Sequence, residues 1–236
     1  MALVTYNPLY EYQMVERVDT PQGRRYWVSK DKTVPSVTTI LSATKDASHL
    51  EGWKKRVGEA EAERIKTEAA HVGTAMHHIL EFLLLGEEDV VNYPEDNLQL
   101  LGCEMAFRLA RTYFHNIDEH WGAEVPLYYP ERYAGTSDVV GVWKGKPAII
   151  DFKQSLKPKR KDWIIDYYHQ LAAYACAHDK EHGTNINFGV ILIACQTGET
   201  QEFTTTGSEF ERYKEQWMER VEKFYALSVE SNGNSL

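Results

Sequence analysis

Between residues 123 and 153 the chain runs through three segments rich in β-branched and aromatic residues: AEVPLYYP at 123–130, YAGTSDVVGVW at 133–143 and KPAIIDFK at 146–153. Turn-forming breaks such as Lys144-Gly145 separate them, so they are expected to pair as consecutive antiparallel strands. A sheet of this kind must have its apolar faces covered, and the flanks supply the cover. Residues 47–71 place Leu50, Trp53, Val57 and Ala60 at helical spacing. Thr74 is positioned to cap a second helix, AMHHILEFLLL, ended by Gly86, and a third pattern runs from about Asp96 to Ile117. Beyond the strands the sequence predicts a helix from Asp162 to His178, strands at 187–195 and 199–205, and a helix from Ser208 to Leu227.

The expected fold is therefore α/β (α+β), a mixed central β-sheet flanked by helices. Residues 1–45 read as a β-rich arm, with RRYWVS at 24–29 followed by VPSVTTIL at 34–41. Residues 46–230 form one compact unit, and SNGNSL at 231–236 reads as a frayed, disordered tail. At 236 residues a single core stands on packing alone, without disulfide or structural metal.

Composition narrows the function classes. No apolar run reaches the length of a membrane span, and the N-terminus has neither a secretory nor an Arg-rich mitochondrial leader pattern, so the expectation is a cytoplasmic protein, of the host cytoplasm if phage-encoded. Cys103, Cys176 and Cys195 are widely spaced and form no CxxC pair, which disfavours a disulfide framework, a zinc ribbon or an iron-sulfur cluster. The net charge of -9 argues against a surface that attracts nucleic acid everywhere and leaves room for a local basic groove.

Chemistry concentrates on the strands. Alternation puts Asp151 and Lys153 on one face of the third strand, and the hairpin through Gly145 folds Asp138 beside them. Two carboxylates at that separation repel unless a cation lies between them, and oxygen donors suit Mg²⁺ or Mn²⁺. A lysine beside such an ion can hold a water or stabilise charge on a scissile phosphate. An ordinary salt bridge on a strand edge explains the same residues without chemistry.

The order Asp138, then Asp151-Phe152-Lys153, then Gln170-Leu-Ala-Ala-Tyr174 resembles the D…DxK…QxxxY signature of RecB-like PD-(D/E)XK nucleases. GTAMHHILE at 73–81 resembles the G-T-x-x-H helix of the same superfamily, and PSVTTIL with a following Trp53 is similar to its phage and mitochondrial genome-maintenance exonucleases. The resemblance spans residues 34–180. It implies a restriction-endonuclease-like sheet with a helical arch, and a metal held by Asp138, Asp151, the Phe152 carbonyl and His77. It further implies Lys153 serving the hydrolytic water, Glu124 as an added catalytic carboxylate, and Gln170 and Tyr174 guiding the DNA. Two departures stand out: Gln154-Ser155 follows Lys153 where Thr-Ser is common, leaving Ser155 in its familiar place, and Val72 stands where Arg is frequent.

Read from the residues alone, His77 borders an apolar helix face and could equally be a hydrogen-bonded core histidine, and Gln170 and Tyr174 share a face that could be core. The run KQSLKPKRKDW is the densest cationic stretch, with Lys157 nearest the strands; it could bracket phosphates or be a solvated loop. Tyr6, Tyr10, Tyr12, Tyr26 and Trp27 could stack on unpaired bases or pack in a core. The function expected is a Mg²⁺- or Mn²⁺-dependent exonuclease acting on DNA that is single-stranded or has a free end, in phage-type replication or recombination. The competing reading is a catalytically silent nucleic-acid-binding module; an iron-sulfur CRISPR-type nuclease is disfavoured by the absent cysteine cluster.

Overall fold

A computed structural model describes residues 4–46, 48–86 and 94–233. Its centre is a mixed sheet of six strands in the order β1-β5-β6-β7-β8-β9. These strands are β1 (Thr5–Tyr6), β5 (Ile117–Tyr129), β6 (Tyr133–Trp143), β7 (Lys146–Ser155), β8 (Phe188–Cys195) and β9 (Thr200–Thr206). As expected, β5, β6 and β7 form an antiparallel meander. The chain then crosses over through α5 (Ile165–His182) and returns as β8, parallel to β7. Every residue of β8, FGVILIAC, is buried, because both sheet faces are covered at that strand.

The two faces carry separate cores. On one, Val140, Ile149, Ile191 and Ile193 pack with Leu171 and Ala172 of α5, with Trp217 of α6 (Gly207–Gly233), and with Ile40 of α1 (Val37–Thr44). On the other, Val139, Ile150, Phe152 and Leu192 meet Met76 and Leu80 of α3 (Glu59–Leu85) and Met105 and Leu109 of α4 (Asn97–Tyr113). Neighbours along β7 thus face opposite layers, as strand alternation requires. None of the described helices is long and apolar enough to cross a membrane.

Three elements depart from the sequence expectation. VPSVTTIL is mostly helix: Ser36 accepts a hydrogen bond from the Thr39 amide and caps α1, whose Val37, Ile40, Leu41 and Thr44 are buried. Burial of that stripe outweighs the strand preference of its β-branched residues. The expected helix over 47–71 is broken at Gly58, whose φ of 87° lies in the left-handed region, giving α2 (Ser48–Val57) before α3. Conversely, Thr74 caps nothing, since α3 continues through Gly73 to the left-handed Gly86.

What carries α3 past Gly73 is its contact with α4. A Cβ on Gly102 would lie 2.6 Å from the Val72 carbonyl oxygen and 2.7 Å from Ala75 Cβ, so the two backbones touch only because residue 102 has no side chain. Gly102→Ala is therefore expected to cost about 2 kcal/mol, read as a lower midpoint in thermal unfolding followed by circular dichroism. An unchanged midpoint would mean that α3 and α4 pack less closely.

At the N-terminus, β2 (Glu16–Thr20), β3 (Gly23–Ser29) and β4 (Lys32–Pro35) form a separate antiparallel sheet. It docks on β6 through Tyr26, Val34 and Ala134. Of the stretch expected to be an arm, β1 instead joins the central sheet beside β5. At the other end, α6 extends to Gly233, so the first residues of the expected tail are helical, and residues 234–236 lie outside the described residues.

Candidate active site

The last β6–β7 pair is Val139 with Ile150, and beyond it the two strands part. Asp138 fills the gap: its Oδ2 accepts a 2.6 Å hydrogen bond from the Phe152 amide. Asp151, only 1% exposed, lies alongside, with Oδ2 against the Lys153 ammonium. Neither Asp151 oxygen accepts a well-formed hydrogen bond. A buried carboxylate in that state is costly unless a further cation compensates it.

The layer above supplies His77 from α3. Its Nδ1 lies 3.5 Å from Asp138 Oδ1 and 3.6 Å from Glu124 Oε1. Glu124 gets there by a backbone irregularity. It sits between the Ala123–Val139 and Val125–Ser137 pairs with a φ of 48°, a conformation that costs a non-glycine residue about 1 kcal/mol or more. Such strain within a strand is held in place by its surroundings, and here it accompanies the placement of the carboxylate.

The charges are interleaved. Burial would lower the His77 imidazole, but Asp138 and then Glu124 override it and push it up to about 10. Burial would raise Asp138, but the neighbouring His77 brings it below its ordinary value. Asp151 is the group that loses: burial pushes it up to about 6, against the pull of Lys153. Lys153 is itself raised, burial being overridden by Asp151 and Asp138, so it stays a cation. Its ammonium also lies 5.2 Å from the centre of the Tyr167 ring.

Donor atoms of His77, Glu124 and Asp138 lie within 4.8 Å of one another, close enough to share one metal ion. The fit is supported by the uncompensated Asp151 carboxylate beside them. Of the residues expected to ligate, His77 and Asp138 are in this group, while Asp151 faces Lys153 from the adjoining position. Phe152 contributes its amide to Asp138, and its buried side chain stacks edge-on toward His77 with ring centres 6.4 Å apart.

This centre lies at the floor of a cleft of about 650 Å³. Gln170 and Tyr174 line it, and the Gln170 amide donates to the Tyr174 hydroxyl at 3.2 Å. Tyr174 occupies its place because residue 135 is glycine; a Cβ there would come within 2.8 Å of Tyr174 Cε1. Ser155 and Lys157 do not line the cleft. The Ser155 side chain is turned inward and donates to the Lys157 carbonyl at 2.7 Å, and Lys157 is exposed on the loop beyond. Gln154 tethers β7 to α3 through the Ala69 carbonyl.

Tyr10 and Tyr12 are clustered with His178 and His182 rather than in the cleft. Of the N-terminal aromatics, Tyr26 lines the cleft wall together with Arg17 and Arg24, which sequence reasoning passed over. Nothing in their spacing marks those arginines. Tyr167 was missed too, although it precedes Gln170 and Tyr174 at spacings of three and four on one helix face.

The chain is similar to mitochondrial genome maintenance exonuclease 1. It is 31% identical to the Xenopus tropicalis protein over 183 residues, covering 70% of this chain and 50% of that protein. It is 27% identical to the Mus musculus protein over 209 residues, covering 81% and 59%, and 26% identical to the Homo sapiens protein over 203 residues, covering 81% and 58%. These are homologues, and the chain spans about half to three fifths of their length. No family model matches the chain. Among solved structures, one from Eubacterium rectale named as a candidate exonuclease superposes with a TM-score of 0.51 at 15% identity, covering 72% of this chain and 69% of the other, a likeness of fold.

Proposed function

We propose that the chain is a metal-dependent exonuclease of the PD-(D/E)XK type that hydrolyses phosphodiester bonds in DNA, acting on single strands or free ends. The observation that carries this reading is the convergence of Asp138, Asp151, Lys153 and His77 at the floor of one open cleft. Homologues named as exonucleases support it. The similarity to phage exonucleases extends it to replication or recombination.

The residues divide the work by charge. Lys153 is held protonated between carboxylates, so it acts as a hydrogen-bond donor and a fixed positive charge toward the attacking water and the developing phosphorane charge, not as a base. Asp138, fixed by the Phe152 amide, with Glu124, His77 and Asp151, would hold a divalent ion. That ion supplies Lewis-acid polarisation of the scissile phosphate and offsets the carboxylate charge. Imidazole in the donor set favours Mn²⁺ over Mg²⁺. Gln170 and Tyr174 position the strand along the cleft wall.

The test is digestion of 5′- and 3′-labelled single- and double-stranded DNA. Cleavage is expected with Mn²⁺ or Mg²⁺, none in EDTA, and a loss of at least about 100-fold in Lys153→Met. Full activity in EDTA or in the Lys153 variant would overturn the assignment. DNA binding without cleavage under any metal would instead support the silent binding module, a reading that the uncompensated buried Asp151 carboxylate disfavours.

A further inference from the structure

A second groove, of about 400 Å³, opens next to the cleft between the C-terminal end of α1, the start of α5 and the middle of α6. Trp163 stands at its rim, 62% exposed, between Leu156 at 63% and Ile165 at 38%. Large apolar side chains so exposed and so close together call for a partner. The backbone beneath Trp163 is pinned. The Gln201 side chain both accepts from the Lys159 amide and donates to its carbonyl, the Trp163 amide bonds the Arg160 carbonyl, and the adjoining Ile164 is buried. The ring is thus presented to solvent by a fixed loop, with the Arg160 guanidinium 5.5 Å from its centre.

Cations surround it in a chain whose net charge is -9. Lys45, Arg220 and Lys223 line the groove with Asp46, Asp162 and Asp166. Asp166 is shared by Arg220 and Lys45, and Asp162 is held by Arg160. Lys157, Lys159 and Lys223 make no ion pair among the described residues. A fixed aromatic ring set among unpaired lysines is the pattern that takes a base on its face and the flanking phosphates on its ammonium groups.

The groove is also continuous with the catalytic centre. Tyr167, one turn along α5 from Trp163, has the Lys153 ammonium on its ring, and Lys45 and Asp166 act on its hydroxyl from the groove side. We propose that this groove is a second subsite for single-stranded nucleic acid, in which Trp163 stacks on a base and Lys157, Lys159 and Lys223 hold phosphates of the strand beyond the scissile position. The proposal rests on the nuclease reading and extends it by fixing where the strand continues.

Fluorescence anisotropy in EDTA with oligothymidylates of about 16 and about 4 nucleotides tests it. Trp163→Ala should weaken the longer oligonucleotide about tenfold and leave the shorter one unchanged, with Trp163→Phe recovering most of the loss. Lys157→Gln with Lys159→Gln should flatten the salt dependence of the longer one by about 0.7 per lysine. Equal affinity of wild type and Trp163→Ala for the longer oligonucleotide overturns the subsite while leaving the nuclease reading intact if the protein still cuts DNA. DNA that is neither bound nor cut sinks both. Poly-glutamate binding as tightly as the longer oligonucleotide, and losing affinity equally in Trp163→Ala, overturns the subsite in favour of an acidic protein partner.

Discussion

Asp151→Asn is expected to lower hydrolysis by about 1,000-fold or more while making the metal-free protein more stable. Activity falls because the change removes a carboxylate from the metal-facing cluster and takes from Lys153 the partner that keeps it charged and placed. Stability rises because the native environment disfavours the carboxylate: burial outweighs Lys153 and holds the group near 6, above its ordinary value of 3.8. A carboxyl raised in the folded state stabilises the protein while it is protonated, below about pH 4, and this contribution is lost as pH rises through about 6. Wild type therefore carries a penalty at neutral pH that the amide lacks, about 1 to 3 kcal/mol. Thermal melts in EDTA at pH 8 should place Asp151→Asn above wild type, with the gap closing toward pH 4. A variant less stable than wild type at pH 8 would show that the carboxylate is compensated without metal.

The largest loss of stability is expected at the opposite end of the molecule, from Arg220→Met. Arg220 of α6 ties three elements with one guanidinium. Nη2 donates to the Leu41 carbonyl at the end of α1, Nε donates to Thr44 Oγ1, and Nη1 meets Asp166 at the start of α5. Methionine keeps much of the stem's bulk and removes every one of these bonds, leaving the carbonyl and part of the carboxylate unpaired. The expected cost is about 3 kcal/mol, or roughly 6 to 12 °C in melting temperature. Burial alone would raise Asp166, but Arg220 and Lys45 hold it below its ordinary value, so the ion pair contributes above about pH 4 and is lost as pH falls through the folded value. The gap between variant and wild type should narrow in acid, and Asp166→Asn in the same chain should restore part of it. A double variant no more stable than Arg220→Met would place the stabilisation in the carbonyl bonds alone.

Much of the fold was legible because period and turn chemistry agree over 123–153. Strand alternation alone put Asp151 and Lys153 together, and the hairpin brought Asp138 to them. What stayed hidden has physical reasons. Alternation cannot foresee that Glu124 adopts a left-handed conformation, since that conformation is imposed by the packed sheet around it. Thr74 carries a capping side chain, yet the contact of Gly102 with Val72, residues thirty apart in sequence, decides that the helix runs on. Ser155 keeps the position expected from its resemblance, but a local hydrogen bond to Lys157 turns the hydroxyl away from the cleft. The parallel pairing of β7 with β8 depends on a crossover that no local pattern announces.

The wall and the floor of the cleft are held by very different amounts of core. The floor belongs to the six-stranded sheet, buried on both faces, whereas the wall formed by β2, β3 and β4 is attached through Tyr26, Val34 and Ala134 with only a few partly buried neighbours. Local opening free energies scale with such burial. The wall can therefore lift while the catalytic floor stays folded, so that admitting a long polymer and keeping the chemistry preorganised are served by separate cooperative units of one chain.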